Sequence, residues 1–123
     1  MDLTINTEHH YNYTLLELEG SLNTFTAPLL QQAIQTAIEE GGQHLLLECS
    51  HLVNINGDGL KVLLFSHQNL PRFHEISMCN VSTPITALLE LSGITRFITL
   101  SQDLHDAEIL MMESDIEMGR LGY

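Results

Sequence analysis

The chain has 123 residues, of which 44% are hydrophobic and 16% charged, as is typical of one globular domain rather than a disordered segment. Its formal charge of −12 disfavours binding to nucleic acid or to anionic membrane surfaces and favours a basic protein partner. No apolar run approaches the ~20 residues that span a bilayer. Because the first residues also lack the basic and apolar parts of a signal peptide, we expect a cytoplasmic protein with no direct membrane insertion.

The first half of the chain predicts two strands, a helix and a third strand. Residues 2–8 and 13–20 alternate between apolar and polar side chains, and the polar link between them predicts a hairpin. A helix is predicted within residues 24–42, with Thr26 as its N-cap and Pro28 in its first turn. The continuously apolar run HLLLEC that follows, residues 44–49, predicts a strand covered on both faces.

The second half alternates between helices and strands. We predict a helix over 57–70, a strand over 75–81, a helix over 83–93, a strand over 96–100 and a helix over 102–112. Leu88 and Leu91 are expected to face the core, and Ser101 is expected to cap the last helix. The predicted order β-β-α-β-α-β-α-β-α indicates a single α/β domain with a mostly parallel central sheet and helices packed on it. The domain is predicted to cover residues 1–112, followed by a flexible acidic tail over 113–123.

The loop NINGDGL, residues 54–60, lies between a predicted strand and a predicted helix. Bare backbone amides at a helix start suit an anion or a phosphorylated side chain. However, this stretch contains no Ser, Thr or Tyr that could be phosphorylated. Two structural roles also stay open, because Asp58 can stabilise the first turn through the helix dipole and Asn56 can cap it.

Four stretches resemble the STAS domain family, named for sulphate transporters and anti-sigma-factor antagonists. They are LELEGSLNTFTAPLL (16–30), LLLECSHLVNINGDGL (45–60), ALLELSGITRFITL (87–100) and SQDLHDAEIL (101–110). The resemblance implies the STAS fold. For stand-alone members it also implies a role in bacterial partner switching, a form of signal transduction that regulates transcription.

In that role, an unphosphorylated antagonist binds an anti-sigma factor that is also a Ser kinase, and phosphorylation of a Ser at the start of the second helix breaks the complex. The family pattern there is Asp-Ser-Ser/Thr-Gly-Leu. Alignment of its end with Gly59-Leu60 places Asn56 on the Asp, Gly57 on the phosphorylated Ser and Asp58 on the next hydroxyl residue. The resemblance therefore implies a switch loop that lacks its phospho-acceptor. The carboxylate of Asp58 either mimics part of the negative charge of the phosphorylated state or only stabilises the first turn of the helix.

The resemblance further implies a non-catalytic protein-interaction module that binds an anti-sigma factor or a Ser-kinase-like protein. The predicted partner-binding residues are Asn23, Thr24, Asn56, Gly57, Asp58, Gly59 and Leu60, with no phosphorylation at position 57. The alternative is a structural STAS subunit of a lipid or ABC-type transport complex or of a sensory complex. The sequence gives no indication of the oligomeric state.

No metal, cofactor or catalytic group is expected. The seven histidines show no ligand spacing, and no catalytic or nucleotide-binding motif is present. His51 and His67 flank the loop in sequence and are expected to tune it with pH. Cys49 and Cys79 lie in strand-like runs, which leaves both buried reduced thiols and a disulfide open.

Overall fold

The computed structural model describes residues 2–117, with side chains described up to Glu113. The strands are β1 (Leu3–His9), β2 (Thr14–Leu22), β3 (His44–Ile55), β4 (Glu75–Cys79) and β5 (Thr99–Ser101). The helices are α1 (Ala27–Glu39), α2 (Gly57–Gln68), α3 (Thr83–Ser92) and α4 (Leu104–Glu117), with a short 3-10 turn at Ile94–Arg96. The predicted α/β order is confirmed.

The five strands form one sheet in the order β1-β2-β3-β4-β5. β1 and β2 form the predicted antiparallel hairpin, which is closed where the amide of His10 donates to the carbonyl oxygen of Tyr13 at 2.8 Å. All other neighbouring strands are parallel. A row of paired apolar residues crosses the parallel part of the sheet and consists of Leu16, Leu47, Met78 and Leu100.

Each face of the sheet carries its own hydrophobic cluster. The larger cluster contains the buried side chains of α1, α2 and α3, among them Leu30, Leu63 and Leu89. Right-handed crossovers that all advance in the same direction across a sheet carry their helices to the same face. α4 covers the opposite face, where Ala107 and Met111 pack against residues of β2, β3 and β4.

β3 is longer than predicted, since it continues past residue 49 to Ile55. Its second half pairs with the end of β2, where Leu22 lies opposite Ile55. The loop after β2 and the first turn of α2 therefore emerge side by side at the carboxyl end of the parallel strands, where α/β proteins commonly place their functional residues.

The predicted orientation of α3 is wrong. Leu88 and Leu91 are 42% and 86% exposed, whereas Ile85 and Leu89 are buried. Apolar residues occur around most of this helix, so periodicity does not single out one face. The buried face is the one that carries Ile85 and Leu89, which lie four residues apart and point towards the sheet.

The predicted cap of α4 is also wrong. Ser101 lies in β5, and the carboxylate of Asp103 accepts a hydrogen bond from the amide of Asp106 at 2.9 Å at the start of the helix. α4 continues beyond the predicted domain end at residue 112 as far as Glu117. Residues 118–123 of the predicted tail lie outside the described residues, so the domain boundary stays a prediction. Over the described range, no helix has the length and apolar character needed to cross a bilayer.

Candidate functional site

The first turn of α2 is capped by Asn56. Its side-chain oxygen accepts hydrogen bonds from the amides of Asp58 and Gly59, at 3.0 and 3.1 Å, and its backbone oxygen accepts from the amide of Leu60. The expectation of bare amides ready for an anion is therefore wrong for these positions. Of the two structural roles left open by the sequence, the structure gives the capping role to Asn56.

Two glycines of this turn have opposite environments. A β-carbon built on Gly57 would have no heavy atom within 4 Å, apart from its own neighbourhood in the chain. A β-carbon built on Gly59 would lie 2.8 Å from the carbonyl oxygen and Cγ of Leu22 and from Cγ1 of Ile55. Position 57 therefore accepts a side chain that points into open space, whereas position 59 requires glycine for the close packing of α2 on β2 and β3.

The carboxylate of Asp58 connects the two loops of the site. It accepts a hydrogen bond from the hydroxyl of Thr24 at 2.5 Å, and Nζ of Lys61 lies 3.7 Å from its other oxygen. Lys61 is 82% exposed, so this ion pair is a solvated surface contact of small energy. The structure thus brings together Thr24 and Asp58, which are far apart in sequence and were both predicted as site residues.

The loop before α1 is held rigid by its own side chains. The side-chain oxygen of Asn23 accepts from the amides of Phe25 and Thr26, at 2.9 and 3.1 Å. The hydroxyl of Thr26 accepts from the amide of Asn23 and donates to the carbonyl oxygen of Ser21, at 2.9 and 2.7 Å. Thr26 occupies the N-cap position, as predicted, but its side chain makes no capping hydrogen bond, because its hydroxyl is used within this loop.

Two apolar side chains beside this loop were missed by sequence reasoning. Phe25 is 89% exposed although hydrogen bonds fix the backbone on both sides of it, and Leu29, one turn later, is 51% exposed. The sequence signal for this exposed side chain was a phenylalanine placed between two threonines in a polar loop. By contrast, the predicted site residue Leu60 packs partly buried against the main core.

In the described part of the chain, neither His67 nor a metal-binding cluster of histidines lies beside this turn. His67 lies in the last turn of α2, at the far end of the helix from Gly57, so its predicted position beside the loop is wrong. Over the residues that the structure describes, no group of three or more His, Cys, Asp or Glu side chains is arranged to hold a metal ion.

Both cysteines are free and buried, so no disulfide forms. Burial is the main cause that raises the pKa of the Cys49 thiol, and it raises the pKa of Cys79 to about 12. Because the thiolate is the reactive form, burial lowers the reactivity of both thiols.

Comparison with known proteins gives a consistent result along the chain. The family model of the STAS domain matches residues 4–107. An anti-sigma F factor antagonist of Paenibacillus polymyxa is 26% identical over 102 residues, a region that covers 81% of this chain and 87% of that relative.

Solved structures show the same fold. The crystal structure of an anti-sigma factor antagonist from Mycobacterium paratuberculosis has a TM-score of 0.82 and 22% identity, and the match covers 89% of this chain and 94% of that one. The Bacillus cell fate determinant SpoIIAA in its phosphorylated form has a TM-score of 0.65 and 15% identity over 87% of this chain and 99% of that one.

The family model runs from the second residue of β1 to the first turn of α4. The resemblance that the sequence motifs predicted is confirmed by this match, and the strand order and helix placement agree with it. The chain belongs to the STAS domain family.

Proposed function

We propose that this STAS domain is a non-catalytic interaction module of the anti-sigma-factor antagonist type, acting in the cytoplasm. It docks on an anti-sigma factor or a Ser-kinase-like protein through the loop at 23–25 and the turn at 56–60. This docking is not switched by phosphorylation at position 57, because Gly57 has no hydroxyl.

The observation that carries the proposal is the hydrogen bond between Thr24 and Asp58, which joins the two loops into one exposed surface. Phe25 lies beside this contact on a backbone that is already rigid. A rigid, exposed aromatic side chain is the type of residue that anchors protein interfaces, because little conformational freedom remains to be lost on binding. The net charge of −12 favours a partner with a basic rim around an apolar pocket.

The relatives support this type of function and also bear on whether the domain is regulated by phosphorylation. The matched protein from Paenibacillus polymyxa is named an anti-sigma F factor antagonist, and the SpoIIAA structure is that of a phosphorylated form. The open space around Gly57 means that loss of the hydroxyl does not follow from steric crowding. A serine therefore fits at this position, and packing does not require the glycine.

Capture of partners from the native cell tests the docking surface. We expect the wild-type domain to retain a protein with anti-sigma or kinase sequence, identified by mass spectrometry. Phe25→Ala and Asp58→Ser are expected to weaken this binding, by about tenfold or more for an interface anchor. Tyr11→Ala is the matched control, because Tyr11 is 98% exposed in the hairpin turn at the opposite end of β2. Equal binding by all variants would exclude this surface as the docking site.

Intact-mass measurement of the protein from its own cell tests the absence of the switch. We expect wild-type protein without phosphate, and phosphate on Gly57→Ser only when the captured kinase and ATP are present. Phosphate on any Ser or Thr of the wild-type protein would contradict the proposal of an unswitched module. Retention of an ATPase or transporter component instead of an anti-sigma factor would favour the structural-subunit alternative.

A further inference from the structure

The sequence contains the pair Arg-Phe twice, at 72–73 and 96–97, and the fold brings both pairs to the β5 side of the sheet. The first pair lies in the loop between α2 and β4, and the second lies at the end of the 3-10 turn that precedes β5. His74 and Phe97 line one cavity of about 330 Å³, which places the two pairs beside the same opening. Both phenylalanines are about half exposed, at 54% and 52%.

The backbone of Phe73 has a conformation that phenylalanine rarely adopts. Its φ angle is 68°, and the amide of His74 donates to the carbonyl oxygen of Pro71 at 3.1 Å, so Phe73 occupies the third position of a tight turn. When φ is positive at this position, glycine or asparagine is favoured, because a bulky side chain is strained there. The guanidinium carbon of Arg72 lies 4.9 Å from the centroid of the Phe73 ring. The turn itself therefore favours a smaller residue, which makes the exposed ring a candidate for an interaction with another molecule.

The two arginines differ from the acidic character of the chain. Of its four Lys and Arg residues, Lys61 lies against Asp58, whereas neither Arg72 nor Arg96 forms an ion pair with any described residue. Both arginines are exposed. Arginine and aromatic residues are enriched in protein interfaces, and an arginine without an ion pair is complementary to a carboxylate of a partner.

α4 contributes a different part of the lining. Leu110 is exposed and lines the cavity. Asp106 and Glu113 lie four residues before and three residues after it, and hence on the same side of the helix. Glu75, which also lines the cavity, lies 3.3 Å from Nδ1 of His44. Carboxylates of a partner are therefore favoured beside the two arginines and disfavoured beside α4, where an apolar group fits better.

We propose that this arginine–phenylalanine edge is a second docking surface, which binds a short acidic segment of a partner protein that has an aromatic residue at one end. The edge consists of Arg72, Phe73, Arg96, Phe97 and Leu110. An extended polyanion such as nucleic acid or a membrane surface is disfavoured by the charge of −12. A short segment depends on the nearby charges only, because interactions between exposed charges are largely screened beyond about 8 Å at physiological ionic strength. The edge lies near the last turn of α2, away from the turn at 56–60, and does not depend on the proposed anti-sigma partner.

Fluorescence anisotropy tests the edge with a labelled peptide in which one phenylalanine is followed by a run of Asp and Glu residues. We expect saturable binding of one peptide per chain. Arg72→Gln and Arg96→Gln should each weaken it about threefold or more, through the loss of a contact between opposite charges. Lys61→Gln is the matched control, because it removes the same charge from an exposed position outside the edge and should leave the affinity unchanged. Absence of saturable binding, or equal weakening by Lys61→Gln, would overturn the proposal.

The same titration with other probes tests the class of partner. A peptide with Asn and Gln in place of the acidic residues should bind at least about tenfold more weakly, because both arginines then lose their partners. Equal binding of the neutral peptide would overturn the assignment of an acidic segment. Equal or tighter binding of an RNA oligonucleotide, or of phosphatidylserine vesicles, would overturn the assignment of a protein partner.

Phe73→Asn separates binding from folding at the strained turn. The variant should bind the acidic peptide about fivefold or more weakly, because it removes an exposed aromatic contact. Its midpoint of urea unfolding should be no lower than that of the wild type, because asparagine tolerates a positive φ angle. Phe65→Asn is the control for binding, since Phe65 is 50% exposed and does not line the cavity, and it should leave the affinity within about twofold. Unchanged binding by Phe73→Asn, or a clear loss of its stability, would overturn the assignment of Phe73 as a binding residue.

Discussion

Gly57 and Gly59 lie two residues apart in the first turn of α2, yet the space around their α-carbons is very different. The space beyond Gly57 is open, whereas Gly59 touches Leu22 and Ile55 so closely that no side chain fits. Neither residue has a positive φ angle, so backbone strain does not explain either glycine. The difference shows that Gly59 is required for the packing of the helix on the sheet, whereas packing does not require a glycine at position 57.

The largest effect is expected for Gly59→Ala. The added methyl group must displace the backbone oxygen of Leu22 or move α2 away from the sheet, and such overpacking costs about 1–3 kcal/mol of unfolding free energy. The higher helix propensity of alanine offsets at most about 1 kcal/mol of this. Urea unfolding at unchanged m-value measures the loss. Wild-type stability of this variant would contradict the close packing seen at position 59.

Removal of the Asn56 cap should have the next largest effect. Asn56→Ala leaves the amides of Asp58 and Gly59 without their side-chain acceptor and is expected to lower stability by about 1 kcal/mol. Asn56→Ser is the control, because serine is also a good N-cap residue and should recover most of the loss. If alanine and serine variants unfold at the same urea concentration, the cap contributes little to the stability of this turn.

A smaller effect is expected at the contact between Thr24 and Asp58. Thr24→Val keeps the shape of the side chain but removes the donated hydrogen bond, which at this exposed position contributes about 0.5 kcal/mol. A double-mutant cycle with Asp58→Ala isolates the coupling between the two residues. A coupling energy near zero would mean that the two loops are held together by other contacts, such as that between the amide of Asn56 and the carbonyl oxygen of Leu22.

An effect of opposite sign, from zero to a modest gain, is expected for Gly57→Ala. The β-carbon meets no atom, and the unfolded chain loses conformational freedom, so the variant should be as stable as the wild type or up to about 1 kcal/mol more stable. The same urea titration that measures Gly59→Ala provides this value. A clear loss of stability at position 57 would remove the contrast between the two glycines.

Much of the fold was predictable because it depends on local patterns. Alternation, apolar runs and capping residues in the sequence predicted the element order, and the monotonic strand order agrees with the expected right-handed crossovers. The inward face of α3 was not predictable, because Leu88 and Leu91 are as apolar as the buried pair Ile85 and Leu89. The assignment of Ser101 failed because β5 begins only after the Ile94–Arg96 turn, a detail without a strong sequence signal.

The candidate site was predictable only in part. Motif spacing located the turn at 56–60 and the loop at 23–24, but the hydrogen bond between Thr24 and Asp58 depends on the pairing of β2 with β3. The exposure of Phe25 depends on the turn that Asn23 and Thr26 build around it.

The two outer strands of the sheet bear on how the protein behaves when concentrated. An unpaired strand edge can recruit a strand from another molecule, which leads to sheet extension and aggregation. β5 limits this risk by offering only Thr99–Ser101, and β1 carries polar, exposed side chains such as Thr4 and Glu8. Mutual repulsion between chains of charge −12 adds to this protection near neutral pH. It should fade on acidification towards the isoelectric point of about 4.7, where the net charge is zero, which makes acidification the condition under which self-association is expected first.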